Sequence, residues 1–373
     1  MPAYFDHNAS APMDGAVQEG LTRHLAAPPG NPSSVHSHGR AARTALERAR
    51  RAVADQLGVK ATELVFTSGA TEALHLAIGG LVPRGGHVVS TAVEHAAVDG
   101  ALAVAGAVVD RVVPDTRGRL APQDFVERLR VDTRLVVCIG AQNEIGTLSP
   151  VAEVADRVAP VPVLCDATQM WGRVPLNPHS LGVSLMALSG HKVGAPAGIG
   201  LLWVRPGVCL APVQRGGVQE RERRSGTENL LGAVGLGLAA EQIERRLAEM
   251  PRIRALRDRL RAGLEALEPT LQVHGEPTTG LPNTLSFRVP DLDGDALLAA
   301  FDLEGFSLSS GSACASGALE PSPVLLALGL SAREARRGLR ISLGAENTDD
   351  EVERFLAAWP GVVARIRDAE VAA

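Results

Sequence analysis

The chain has 373 residues, 45% hydrophobic and 21% charged, with 37 basic against 42 acidic side chains and a formal net charge of −5. That length exceeds a typical single domain and allows a large core, while the composition excludes a disordered chain and no run of eighteen apolar residues suggests a membrane span. With neither a basic, apolar leader nor a net positive field, the expectation is a cytoplasmic protein that makes no direct contact with nucleic acid.

In chain order, a first helix is expected after Pro12 and a stronger one over Ser37 to Leu57, where Ala42, Ala45, Leu46, Ala49, Val53 and Leu57 fall near helical spacing. The pattern then alternates. Leu64 to Phe66 precedes a helix near Thr71 to Ile78, Val88-Val89 one near Ala96 to Ala105, and Val108 to Val113 one near Pro122 to Arg130. Short apolar runs follow at Leu135 to Ile139, Val163-Leu164, Leu185 to Leu188 and Ile199 to Val204. Strand followed by helix, repeated, predicts an α/β protein with a mostly parallel sheet of about seven strands covered on both faces. Beyond Thr227 two helices are expected, Leu230 to Glu249 and, past a break at Pro251, Ile253 to Leu267; a β-like stretch follows at Leu281 to Val289. A smaller α+β domain is expected to begin near that break.

The rare residue types carry more information than the common ones. Lys60 and Lys192 are the only lysines, leaving 35 arginines. Arginine readily replaces a surface lysine, but an always-protonated guanidinium cannot replace an amine that must bond to a carbonyl carbon. One of the two lysines is therefore a candidate for chemistry. The four cysteines are widely spaced, with no C-x-x-C pair and no zinc-like set, which excludes a disulfide framework and a structural zinc site. Cys138 and Cys165 lie in apolar runs and read as core, and Cys209 follows a Pro-Gly turn. Cys314, within Ser309-Ser-Gly-Ser-Ala-Cys-Ala-Ser-Gly317, is expected on an exposed, mobile loop.

Ligands of open α/β sheets bind beyond the carboxyl ends of the strands. Thr67-Ser-Gly-Ala-Thr-Glu72 lies between a strand and a helix, where backbone N–H groups can cradle a phosphate; the alternative is an ordinary cap made by Ser68 or Thr71. Asp166-Ala-Thr-Gln169 and Ser189-Gly-His-Lys192 each follow a strand. A phosphate cradle, a strand-end aspartate and a strand-end lysine together suggest pyridoxal 5'-phosphate, which needs an amine to bond to, a carboxylate for its ring nitrogen and a phosphate site.

With Asn143-Glu-Ile-Gly146, Arg224-Ser-Gly-Thr227, Ser310-Gly-Ser-Ala-Cys314, Tyr4-Phe-Asp-His-Asn-Ala-Ser-Ala-Pro12 and Gly338-Leu-Arg-Ile-Ser-Leu-Gly344, the chain resembles the cysteine desulfurases of the NifS/IscS type within the class V aminotransferases. The resemblance implies a type I pyridoxal-phosphate transferase fold, aspartate aminotransferase-like, with a large domain over 13–250 and a small domain from 1–12 and 251–373. It also implies a homodimer. The implied activity converts L-cysteine to L-alanine, leaving the sulfur on Cys314 as a persulfide for an acceptor such as an iron-sulfur scaffold or a tRNA-thiolation protein.

The resemblance assigns roles residue by residue. Lys192 would bond to the cofactor and move the substrate's Cα proton, Asp166 would face the ring nitrogen and Gln169 the ring hydroxyl. His95 would stack on the ring and assist proton transfer, and Asn143 would touch the cofactor. Ala70, Thr71, Ser189 and His191 would hold the phosphate, with Thr227 reaching in from the other subunit. Arg340 would bind the substrate carboxylate, helped by Asn31. No resident metal is assigned, and whether Cys314 transiently ligates a transferred iron-sulfur cluster stays open. Without the resemblance, His95 could equally be an exposed histidine beginning a helix. The chain departs from the family's usual Tyr-Gly-Pro-Lys-Gly at Gly194-Ala-Pro-Ala-Gly198, from a third glycine at Val218 and from asparagine at Gln142. Another class V activity, transamination or selenocysteine cleavage, would share Lys192 and Asp166, but transamination has no need of Cys314; a non-catalytic platform would need none of them.

Overall fold

The computed structural model describes residues 2–310 and 320–372, so Cys314 lies outside the described residues. In chain order the elements are β1 (Ala3–Tyr4), α1 (Gly15–Leu25), α2 (Ser37–Leu57), β2 (Leu64–Thr67), α3 (Ala70–Leu81), β3 (His87–Thr91), α4 (Ala96–Ala105), β4 (Val108–Val112), α5 (Pro122–Glu127), β5 (Thr133–Ile139), α6 (Val151–Val158), β6 (Val163–Asp166), β7 (Leu185–Ser189), β8 (Gly200–Val204) and α7 (Leu230–Ala240). They continue with α8 (Ile243–Leu267), β9 (Gln272–His274), β10 (Thr284–Arg288), α9 (Gly294–Leu303), β11 (Phe306–Ser307), β12 (Ser309–Ser310), α10 (Pro323–Ala327), α11 (Ala332–Ala335), β13 (Leu339–Ser342) and α12 (Asp349–Ala372).

A seven-stranded sheet, ordered β2-β8-β7-β6-β5-β3-β4, forms the centre. Only β8 runs against its neighbours, β2 and β7, so the sheet is mostly parallel, as the strand–helix alternation predicts. β6 and β7 are apolar on both faces because helices cover both. Val136, Cys138 and Cys165 face one core, while Leu135, Val137 and Leu164 face the other. Cys138 and Cys165 are paired in register and fully buried. α2 buries Ala42, Leu46, Ala49, Val53 and Leu57 on one stripe and stops at Gly58, whose φ of 66° is a left-handed cap that glycine adopts without strain.

A separate core gathers Ala3 and Phe5 with side chains from Ile253 to Ile366. It lies against the antiparallel sheet β12-β13-β10-β9 and the parallel pair β1-β11. The helix break expected at Pro251 falls earlier, at Glu241–Gln242, and α8 runs through Pro251. Burial of Ile243 before the proline and of Ile253, Leu256, Leu260 and Leu264 after it outweighs the cost of about 3 kcal/mol for an internal proline. α5 is also shorter than predicted, ending at Glu127. Among the described residues no helix is long and apolar enough to cross a membrane.

Candidate active site

The carboxyl ends of β2, β3, β5, β6 and β7 lie along one edge of the sheet, and the residues that follow them line a cavity of about 460 Å³. Ala70, Thr71, His95, Asn143, Asp166, Gln169, Ser189, His191, Lys192 and Arg340 all border it. Of the residues assigned through the resemblance, the fold therefore collects ten that are up to 270 positions apart in sequence.

The β2–α3 turn bears directly on the phosphate reading. The residue preceding α3 is Gly69, and no side-chain cap satisfies the first turn, so neither Ser68 nor Thr71 plays the ordinary capping role. Ser68 instead donates its backbone N–H to Glu72 Oε2 at 2.6 Å, and Arg224 pairs with Glu72 Oε1 at 2.8 Å. Gly200, opposite Thr67, must be glycine because a Cβ there would come within 2.5 Å of Gly69 Cα. Uncapped N–H groups at the start of a twelve-residue helix suit an anion.

Asp166 ends β6, is buried, and accepts a hydrogen bond from Thr168 N at 3.0 Å. Gln169 Nε2 donates to the Asn8 carbonyl at 2.9 Å. Gln169 Oε1 and Thr168 Oγ1 are buried without a hydrogen-bond partner among the described residues. Buried polar atoms left unmatched along a cavity wall await a ligand's polar groups. A strand-end carboxylate, an amine, an uncapped helix start and these orphaned atoms fit the ring nitrogen, carbonyl carbon, phosphate and ring substituents of pyridoxal phosphate.

Lys192 closes the short turn after β7, and its Nζ donates to the carbonyls of Asn8 and Ala9, both at 2.7 Å. His95 is the cap of α4: its Nδ1 accepts from Ala97 N at 3.1 Å. His95 thus begins a helix, as its alternative reading has it, and also borders the cavity; in its neutral form the ring carries its proton on Nε2. His191 is held neutral, its pKa lowered to about 4 by burial and by the positive charges of Lys192 and Arg173. It can therefore hold an anion by hydrogen bonding rather than by charge.

Beneath these groups, Glu94 accepts from Thr91 Oγ1 at 2.9 Å and Ile139 N at 2.8 Å through one oxygen, while its other oxygen is buried without a partner among the described residues. Burial, reinforced by the charge of Asp166, raises its pKa to about 8. The folded state thus keeps a proton that the unfolded chain releases near pH 4.5, so this group's contribution to stability is lost as pH rises from about 5 through 8. Relative to wild type, Glu94→Gln is expected to gain stability over that window, on the order of a few kcal/mol. Chemical denaturation at pH 5 and pH 8.5 measures this, and a pH-independent difference between the two proteins would reject a neutral Glu94.

Two assigned residues are not brought to the cavity in one chain. Thr227 is exposed and lines a smaller adjoining hollow that shares Ser68 and Gly198 with the main cavity. Its loop follows Glu220, Arg221 and Glu222, all left-handed at φ 47°, 58° and 64°, a conformation that costs non-glycine residues roughly 1–2 kcal/mol each. Buried Arg50 holds that turn through both oxygens of Glu220, at 2.8 and 2.6 Å. Asn31 is exposed, does not border the cavity, and accepts a hydrogen bond from Ser33 N.

Asn8 and Thr168 border the cavity, and Asp6 pairs with Arg340; no role is assigned to these three from the sequence. Asn8 is a junction, donating to the Asn143 carbonyl and to Thr284 Oγ1 while its own carbonyl receives Lys192 and Gln169. Asp6 and Asn8 both lie in the Tyr4 to Pro12 run that opens the resemblance, and that run is the signal by which they could be found.

The model of the family described as aminotransferase class-V matches residues 3–355. This chain belongs to that family. It is 37% identical to a protein of Archaeoglobus fulgidus named cysteine desulfurase IscS 1, over 98% of this chain and 97% of the relative. A solved NifS-like protein from Rickettsia africae superimposes with a TM-score of 0.90 at 30% identity, covering 98% of this chain and all of that one. A second solved structure, SspA in complex with cysteine, has a TM-score of 0.80 at 31% identity over 93% of this chain and all of that one. The family fold is the pyridoxal-phosphate type I fold. Family members use pyridoxal phosphate, and the site geometry described above accommodates it.

Proposed function

We propose that this chain is a pyridoxal-phosphate-dependent cysteine desulfurase that converts L-cysteine to L-alanine and passes the sulfur to Cys314. The observation that carries the reading is the convergence of Lys192, Asp166 and Arg340 on one cavity beside the uncapped start of α3. The names of its relatives and the cysteine complex of SspA support the substrate.

Lys192 would anchor the cofactor, Asp166 face its ring nitrogen, Gln169 its ring hydroxyl, and Ala70, Thr71, Ser189 and His191 its phosphate, with Thr227 supplied by a second subunit of a homodimer. Bound there, the cofactor supplies an electron sink for charge developing at the substrate's Cα. Arg340 orients the amino acid through its carboxylate. The Lys192 amine takes and returns the Cα proton, and His95, with its proton on Nε2, can donate towards the substrate. In the transfer itself the Cys314 thiolate attacks the substrate sulfur: an S–S bond forms, the C–S bond breaks, and its electron pair stays with carbon, which takes a proton to become alanine. The role of Cys314 rests on the resemblance alone. Asn31, exposed and away from the cavity lining, would assist Arg340 as the resemblance implies.

The separate core that joins Ala3 and Phe5 to side chains from Ile253 to Ile366 supports a small domain from the two chain ends beside a large domain over 13–250, with Leu281, Val324, Leu325, Leu328 and Ala335 packing instead into the core of the large domain. The absence of a spanning helix among the described residues is compatible with a cytoplasmic enzyme. The sulfur would pass to a protein acceptor such as an iron-sulfur scaffold or a tRNA-thiolation protein. Purified, cofactor-loaded protein with L-cysteine and a thiol reductant is expected to release alanine and sulfide in equal amounts. Bound cofactor with no alanine formed would reject the reading.

A further inference from the structure

Arg340 does not meet the cavity as a bare cation. Its side chain is 1% exposed, and its Nη2 already donates to Asp6 Oδ1 at 2.6 Å. Its Nη1 donates to the Asn143 carbonyl at 3.0 Å, and its Nε is buried without a partner among the described residues. Two of the five guanidinium donors are thus in use, and Asp6 takes only one of them, through a single oxygen. Asp6 itself is fixed beside β13, because the flanking residues bond to that strand: Ser342 N donates to the Phe5 carbonyl at 2.8 Å and His7 N to the Ser342 carbonyl at 3.1 Å.

We propose that Asp6 sets the strength with which Arg340 holds an amino-acid carboxylate. This rests on the reading of Arg340 given above and adds a second carboxylate to it. The substrate's carboxylate docks on a guanidinium that a resident carboxylate has partly neutralised, and it does so without displacing Asp6, since donors remain on both terminal nitrogens. Asp6 therefore acts in two opposite ways. Its hydrogen bond holds the planar fork in one orientation, and its negative charge weakens the hold on any second anion. A site that must release alanine after each turnover gains from the weaker hold, and a ligand with an extra carboxylate at this end is repelled.

Asp6→Asn separates the two effects, because the amide oxygen keeps the hydrogen bond while the charge is lost. Propionate is the probe: it carries a carboxylate but no amine, so its binding is read by calorimetry without any reaction at the cofactor. Asp6→Asn is expected to bind propionate about tenfold more tightly than wild type, as removing one nearby like charge in a partly screened site predicts. Asp6→Ser removes the same charge and is expected to shift affinity in the same direction, which keeps the test open should the asparagine variant fail to fold. In an Arg340→Gln background the gain is expected to vanish.

A purely structural Asp6 would lower the melting temperature and leave propionate affinity unchanged. Uncharged variants that bind propionate no more tightly than wild type, or a gain that persists without Arg340, would overturn the proposal. Failure of the desulfurase reading is a different observation, the absence of alanine from L-cysteine in the wild-type enzyme.

Discussion

Lys192→Ala is expected to yield a folded protein that lacks any borohydride-fixable attachment to pyridoxal phosphate and forms alanine at least about 10³-fold more slowly. Lys192 is the lysine that borders the cavity; Lys60, the other one, is exposed ahead of β2. No other lysine amine is in place to take over. The loss of packing is contained, because the Asn8 carbonyl keeps its hydrogen bond from Gln169 when the Lys192 amine is removed. Lys192→Arg completes the argument: it restores a cation near the Asn8 and Ala9 carbonyls, yet a guanidinium cannot bond to the cofactor's carbonyl carbon, so attachment stays lost. Borohydride reduction followed by peptide mass analysis reads the result. A cofactor still fixed to the Lys192→Ala chain would displace this residue from its assigned role.

Cys314→Ser is expected to fail at a different step, keeping the cofactor absorbance of the wild type while forming neither persulfide nor alanine above a residual rate about 10³-fold lower. The remaining cysteines make poor substitutes. Cys138 and Cys165 are fully buried, and burial pushes both thiols well above their ordinary range, so neither supplies a thiolate. Cys209 is exposed but does not border the cavity. Thiol-specific labelling of the persulfide after a single addition of L-cysteine, compared between the two proteins, measures the step. Persulfide on the Cys314→Ser chain would move the acceptor role to another thiol. The two variants fail separably, since one loses attachment of the cofactor and the other only the acceptance of sulfur.

Much of this architecture is legible in the sequence because its signals are local. The apolar runs that become β2 to β8, and the helical stripe of α2 ending at Gly58, depend on neighbours within a few residues. Position at or just beyond the end of a strand also selects Asp166, Gln169, Ser189 and Lys192, because a parallel sheet presents all such positions along one edge. Scarcity of its residue type narrows the amine to Lys60 or Lys192, and the strand before it selects Lys192. The helix end expected at Pro251 fails for the opposite reason: a proline is a strong local stop, and the apolar packing that carries α8 through it is not local.

The same distinction separates the chemistry from its tuning. Amino-acid order alone singled out an amine and a carboxylate near strand ends as candidates, since their competence belongs to the residue and its immediate segment, while the guanidinium of Arg340, inside β13, entered only through the resemblance. Their electrostatic state came from the folded molecule. Asp6 and Arg340 are separated by 334 positions and form an ion pair, Glu94 holds its proton because β3 and β5 bury it beside Asp166, and His191 stays neutral because it is half-buried with the positive charges of Lys192 and Arg173 close by. Coulomb and desolvation energies depend on distance through space and on exclusion of water, and neither quantity is written in the spacing of residues along a chain.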